Sequence, residues 1–205
     1  MRNYEWIFFD LGSTLVDERK VYERHMKEIA NKACVSYEEV YEKAVSLYKE
    51  GKRGYSEMMK LLGVERPVWT LEDEILYPDA NNCLKELKKK KYQIGIIANQ
   101  MPGTEERLIK FGIRQYIDLI VASAEVGVSK PDKKIFELAL ERAKCNPQKT
   151  IMVGDRVDND IVPAKSMGMG TVWLKQGFGQ YWIVKNESEK ADYEVESLSD
   201  LLIVL

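Results

Sequence analysis

A single histidine, His25, is the first limit this chain sets on its own chemistry. It excludes a serine–histidine triad and a histidine-based zinc site. Cysteine is nearly as scarce. Cys34, Cys83 and Cys145 lie far apart with no CxxC pair, and read as reduced structural thiols of a cytoplasmic protein. No apolar run reaches the roughly 18 residues of a membrane span, and the N-terminus lacks the basic, apolar and cleavage regions of a secretion signal. Excess charge is missing too: 31 basic residues against 33 acidic ones give −2, so nothing pulls the whole chain toward nucleic acid or an anionic membrane. Any chemistry must therefore come from carboxylates, lysine and backbone groups.

What is present is a chain of 205 residues, 45% hydrophobic and 31% charged, long enough for one large α/β domain or a core with a small second domain. Residues 6–16 organise it. Trp6 to Phe9 is an unbroken apolar run, the pattern of a strand buried on both faces of a parallel sheet, and it stops at Asp10. Gly12 and Ser13 follow, permitting a tight turn that brings backbone N–H groups near the carboxylate. Alone, the segment also reads as a strand ending in a solvated loop.

Similar short runs at 92–98, 117–122, 150–153, 171–174 and 193–196 are expected strands, with helices at 80–91, 104–111, through Ile135 to Leu140, from about Asp160 to Gly168, and at 198–205. The lysines at 88–91 fit the carboxyl end of a helix better than a nucleic-acid patch. Such alternation implies right-handed βαβ units and a mainly parallel sheet. Residues 16–78 interrupt it with helical patterning alone. Val21, His25, Met26, Ile29 and Ala33 share one helix face, and Ser36 with Glu39 forms a capping box opening a second helix. A third runs from Ser56 to Gly63, and Thr70 caps a fourth through Ile75. His25 reads as a helix-face residue rather than a ligand. The loop at 51–55 and the aromatic-rich loop at 177–182 are each open to two readings: a substrate or partner contact, or ordinary local structure.

Four strand ends, or the loops after them, deliver a polar group: Asp10, Asn99, Lys130, and Asp155 with Asp160. Carboxyl ends of parallel strands share one edge, so these groups can converge. Three acids brought together repel one another, and a hard cation with oxygen ligands is the usual remedy. Carboxylate, cation, lysine and backbone donors are together what phosphoryl transfer requires. Singly, each has a plainer reading: Asp160 as a helix N-cap, Lys130 as a surface lysine before a proline-started helix, Thr14 as a turn hydroxyl.

Over nearly its whole length the chain resembles the haloacid dehalogenase superfamily of hydrolases, phosphatase branch, with a helical cap inserted after the first strand. The likeness rests on four motifs in order: Asp10-Leu-Gly-Ser-Thr-Leu, Ala98-Asn99-Gln100, Val-Ser-Lys130-Pro-Asp, and the GDxxxxD pattern from Gly154 through Asp155 to Asp160. It implies an α/β, Rossmann-like three-layer core of residues 1–15 and 79–205 with an all-helical cap of 16–78. It implies Asp10 as the nucleophile forming an aspartyl-phosphate, and Mg2+ held by Asp10, the Gly12 carbonyl, Asp155 and Asp160. Phosphate would be bound by Leu11, Gly12, Asn99 and Lys130, with Lys130 also neutralising Asp10 and Thr14 orienting the loop. The substrate would be a small phosphorylated metabolite, and the protein a monomer or homodimer without nucleic-acid or membrane partners.

Two positions depart from the pattern. Phosphatases of this superfamily carry a second Asp two residues after the nucleophile, as general acid and base; here that position is Gly12. Their second-strand Ser or Thr is Ala98. Losing acid–base help, worth about 10²–10⁴-fold, leads to the expectation that only good leaving groups are hydrolysed well. The alternatives are a metal-binding regulatory protein without turnover and, against the presence of Asp155 and Asp160, a metal-independent dehalogenase.

Overall fold

The computed structural model describes residues 4–205. The chain order begins β1 (Trp6–Phe9), β2 (Val16–Asp17), α1 (Arg19–Ala33), α2 (Tyr37–Lys49), α3 (Gly54–Leu62) and β3 (Ile75–Leu76). It continues through α4 (Ala80–Lys89), β4 (Gln93–Ala98), α5 (Thr104–Lys110), β5 (Leu119–Ala122), α6 (Ser123–Val126) and α7 (Lys133–Ala143). Then come β6 (Thr150–Gly154), α8 (Val162–Ser166), β7 (Gly170–Leu174), β8 (Tyr193–Val195) and α9 (Leu198–Val204). Six strands form one sheet in the order β5-β4-β1-β6-β7-β8, each parallel to its neighbours.

Burial on both faces explains the unbroken apolar runs. Side chains alternate across a strand, so Ile7 and Phe9 pack with Leu84, Leu87 and Leu201 on the face covered by α4 and α9. Phe8 points the other way, into Phe136, Ala139 and Ala164 of α7 and α8. This is the three-layer α/β core anticipated from the sequence. β1 lies between β4 and β6, which brings the chain ends after all three strands side by side.

Residues 16–78 hold α1, α2 and α3, but the expectation of a strand-free segment needs correction. Val16–Asp17 pairs antiparallel with Ile75–Leu76, a two-stranded ribbon through which the chain leaves the core and returns. The helix expected from Thr70 to Ile75 is absent; those residues are irregular and then extended. The reason lies in Glu74. Its carboxylate accepts from Trp69 Nε1 at 2.8 Å and from Arg107 Nη2 at 2.6 Å, which anchors the segment to α5 rather than to its own helix. The capping box does form: Ser36 Oγ accepts from the Glu39 N–H at 3.1 Å, and the Glu39 carboxylate accepts from the Ser36 N–H at 2.8 Å. His25 is buried on α1, with Nδ1 2.8 Å from Tyr55 Oη and Nε2 3.1 Å from the Val68 carbonyl, a helix-face residue tying three parts of the insertion together. Among the described residues no helix is long and apolar enough to cross a membrane.

Candidate active site

The polar groups at the sheet's carboxyl edge do converge. The Asp10 N–H donates to the Val153 carbonyl at 2.9 Å, extending the β1–β6 ladder so that the Asp10 carboxylate emerges beside the end of β6. After Gly154 the chain makes one π-helical turn, Val157–Ile161, a wide turn of a kind frequent at functional sites. It carries Asp160 back over the strand, where the carboxylate accepts from the Arg156 N–H at 3.1 Å. A Cβ on Gly154 would lie 2.4 Å from Asp160 Oδ2, so only glycine lets that turn close. Trp173 Nε1 donates to the Asp155 carbonyl at 2.8 Å and pins the turn to β7. Ligand oxygens of Asp10, Asp155 and Asp160 all lie within 4.8 Å of one another.

Lys130 sits among them. Its Nζ is 2.7 Å from Asp10 Oδ1 and 2.6 Å from Asp160 Oδ1, with all three side chains buried or nearly so. Asn99 holds the lysine in place rather than reaching outward. Its Nδ2 donates to the Lys130 carbonyl at 2.9 Å and its Oδ1 accepts from the Lys130 N–H at 2.7 Å. In the loop after Asp10, the Leu15 and Val16 N–H groups both donate to the Leu11 carbonyl at 2.9 Å, and Ser13 adopts a left-handed φ of 55°. Thr14 Oγ1 is buried and has no hydrogen-bond partner among the described residues.

One lysine against three carboxylates leaves an excess of negative charge in a dry site, and the protonation equilibria register it. Burial, with Asp10 and Asp160 adding to it, pushes Asp155 well above the usual carboxylate range. Burial also pushes Asp160 up to about 6, against the pull of Lys130. Burial would lower Lys130, but the attraction of Asp10 and Asp160 outweighs it and holds the ammonium charged. Three oxygen donors in this state fit a hard divalent cation, which would restore the carboxylates to their charged forms.

Above this floor opens a cavity of about 650 Å³. Its far walls come from the insertion: Tyr22, Tyr48, Arg53, Tyr55, Arg66 and Trp69. Arg53 lines the cavity while its side chain stays exposed, and it approaches Asp158 at 3.6 Å. The 177–182 loop packs inward. Phe178 stacks on Tyr48 with ring centroids 5.7 Å apart and meets Tyr22 edge-on at 5.3 Å, joining the segment after β7 to α1 and α2.

Sequence reasoning missed Glu18. It precedes α1, is buried, lines the cavity, and accepts from Ser13 Oγ at 3.1 Å. Burial first, then Glu74 and Asp10, push its carboxyl up to about 8. The only signal was an acid pair, Asp17-Glu18, soon after the Asp10–Leu15 loop.

A model of haloacid dehalogenase-like hydrolases matches residues 4–168. The chain belongs to that family. Relatives of this hydrolase include a glyceraldehyde 3-phosphate phosphatase of Pyrococcus furiosus, 34% identical across 100% of this chain and 94% of the relative. Its fold is that of a predicted phosphoglycolate phosphatase from Haemophilus somnus, with a TM-score of 0.73 and 20% identity over 100% of this chain and 99% of that one. A dehalogenase structure matches with a TM-score of 0.70 at 21% identity, covering 100% of this chain and 98% of that one, so the fold alone does not choose between the two chemistries.

Proposed function

We propose that this hydrolase is a Mg2+-dependent phosphatase that removes phosphate from a small phosphorylated metabolite through an aspartyl-phosphate on Asp10. The observation that carries this reading is the cluster itself: Asp10 held 2.7 Å from Lys130, with Asp155 and Asp160 close enough to share a cation. Mg2+ would be held by Asp10, the Gly12 carbonyl, Asp155 and Asp160, and would neutralise charge on the phosphoryl oxygens. Asp10 attacks phosphorus, and Lys130 offsets the charge of both nucleophile and phosphoryl group. Backbone N–H groups of Leu11 and Gly12 contribute to phosphate binding. Asn99 serves phosphate by fixing Lys130. A metal-independent dehalogenase is the poorer fit, because three uncompensated acids would repel an anionic haloacid.

Residues 16–78 act as a cap, bounded by the β2–β3 ribbon, and their Arg53 and Arg66 favour an anionic substrate. The full-length relatives named for glyceraldehyde 3-phosphate make that triose phosphate the first substrate to try. The test is phosphate release from glyceraldehyde 3-phosphate and a panel of sugar and triose phosphates, with Mg2+ or with EDTA, for wild type and Asp10→Asn. Release should require Mg2+ and fall on the order of 10⁴-fold or more in Asp10→Asn. Release that survives either change rejects the reading.

A further inference from the structure

We infer that Glu18 is the proton donor and acceptor of the phosphatase reaction, taking over from position 12 the work that Gly12 has no side chain to do. The inference rests on the phosphatase reading above and on three observations of placement. A Cβ built on Gly12 would lie 2.3 Å from Glu18 Oε1, 2.7 Å from its Cδ and 2.8 Å from its Oε2. The carboxyl therefore fills the space that a side chain at position 12 would occupy. Second, Glu18 lines the cavity together with Asp10, Lys130 and Asp155. Third, it stands at the N-cap position of a 15-residue helix yet makes no side-chain cap bond, so its carboxyl is turned from the helix to the site. Among the described residues its carboxyl receives one hydrogen bond, from Ser13 Oγ to Oε2. Oε1, the oxygen nearest Gly12, is free to face the substrate. Arg107, which could have neutralised the acid, is bound instead to Glu74 and Gln100.

The chemistry balances in two steps. An Asp10 oxygen forms a bond to phosphorus as the bond from phosphorus to the leaving oxygen breaks, and that oxygen takes the proton of Glu18 and departs as an alcohol. The Glu18 carboxylate then takes a proton from water, whose oxygen bonds to phosphorus as the Asp10–phosphorus bond breaks. Phosphate, the Asp10 carboxylate and protonated Glu18 are regenerated.

The collision also makes a prediction for Gly12→Asp: alone it loses activity, because its new carboxylate and that of Glu18 cannot share one space. Gly12 does not occupy the left-handed region, so an L side chain is allowed there once Glu18 is shortened. The experiment compares wild type, Asp10→Asn, Glu18→Gln, Glu18→Ala, Gly12→Asp, and Gly12→Asp combined with Glu18→Ala, using glycerol phosphate and p-nitrophenyl phosphate. In Glu18→Gln, turnover of glycerol phosphate should fall about 10²–10⁴-fold. The first burst of p-nitrophenolate, a leaving group that needs no proton, should fall less than about 10-fold. The double variant should recover glycerol phosphate turnover at least about 10-fold above Glu18→Ala alone while the p-nitrophenolate burst changes less than about 3-fold, a split that a purely structural role for Glu18 does not produce. Unchanged glycerol phosphate turnover in Glu18→Gln, an equal loss in turnover and burst, or no recovery in the double variant overturns the assignment while leaving Asp10 in place. Should Glu18→Gln not fold, the double variant decides alone. Wild-type phosphate release that is absent or indifferent to Asp10→Asn overturns the phosphatase reading, and this assignment with it.

Discussion

The floor and the roof of the cavity are held together by different forces. On the floor, Lys130 is a buried charge fixed to Asp10 and Asp160 by 2.6–2.7 Å contacts, with Asp155 beside them and no room for an added methyl at Gly154. On the roof, Tyr22 and Tyr48 line the cavity and are backed by Phe178, which also meets Tyr41, through ring contacts with centroids 5.3–5.7 Å apart, and no buried charge is at stake in them. Charge pairing demands a single geometry, because a misplaced buried carboxylate costs several kcal/mol. Ring packing tolerates adjustment at about 0.5–1.5 kcal/mol per pair. The comparison teaches a division of rigidity: the floor is held to one geometry by charge, and the roof can adjust by repacking its rings.

The sharpest way to break the floor is Lys130→Met. Methionine fills similar volume but leaves Asp10 and Asp160 buried without their cation, a loss of about 3–5 kcal/mol. Denaturant unfolding in EDTA measures it, and saturating Mg2+ should recover part of the loss. A cost under about 1 kcal/mol would show that the pairs behave like exposed ones. The matching break in the roof is Phe178→Ala. Phe178 is half-buried, so the cost should fall to about 2–3 kcal/mol, below the range for a fully buried phenylalanine. Its kinetic signature should also differ: KM rises more than kcat falls, since the ring contacts α1 and α2 rather than the reacting groups. A fall in kcat with KM unchanged would place Phe178 with the floor.

The same contrast separates what was legible in the sequence from what was not. β1, β4 and β6 were legible because burial on both faces leaves an unbroken apolar run, and Asp10, Lys130, Asp155 and Asp160 because parallel topology puts strand ends on one edge whatever their separation in sequence. Glu18 was not legible. Its place depends on the β2–β3 ribbon turning the chain so that residue 18 meets residue 12, a coincidence in space that no local period encodes. Thr70–Ile75 was misread as helix because the Glu74 contacts with Trp69 and Arg107 outweigh a capping threonine. The 177–182 loop stayed ambiguous because an aromatic run does not say which surface it covers. Asn99 was legible as a strand-end residue on the same edge as Lys130, but its bonds to the Lys130 backbone could be read only from coordinates.

Thr14 supplies the finest distinction within the floor. The family resemblance assigns it to orienting the nucleophile loop, and a hydroxyl would do that by hydrogen bonding. Yet Thr14 Oγ1 is buried without a partner among the described residues, while the loop's closure is supplied by backbone bonds to the Leu11 carbonyl. A buried hydroxyl that makes no bond carries its desolvation cost uncompensated. Thr14→Val keeps the shape and removes that cost, so stability should stay level or rise by up to about 1 kcal/mol, read from the unfolding midpoint at constant slope. Turnover that stays within about 3-fold would make the threonine's contribution one of shape. A loss beyond about 10-fold, equivalent to 1.4 kcal/mol in the barrier, would mean that the hydroxyl finds its partner only when phosphate is bound, and would return Thr14 to the group of residues that act by charge and hydrogen bonding.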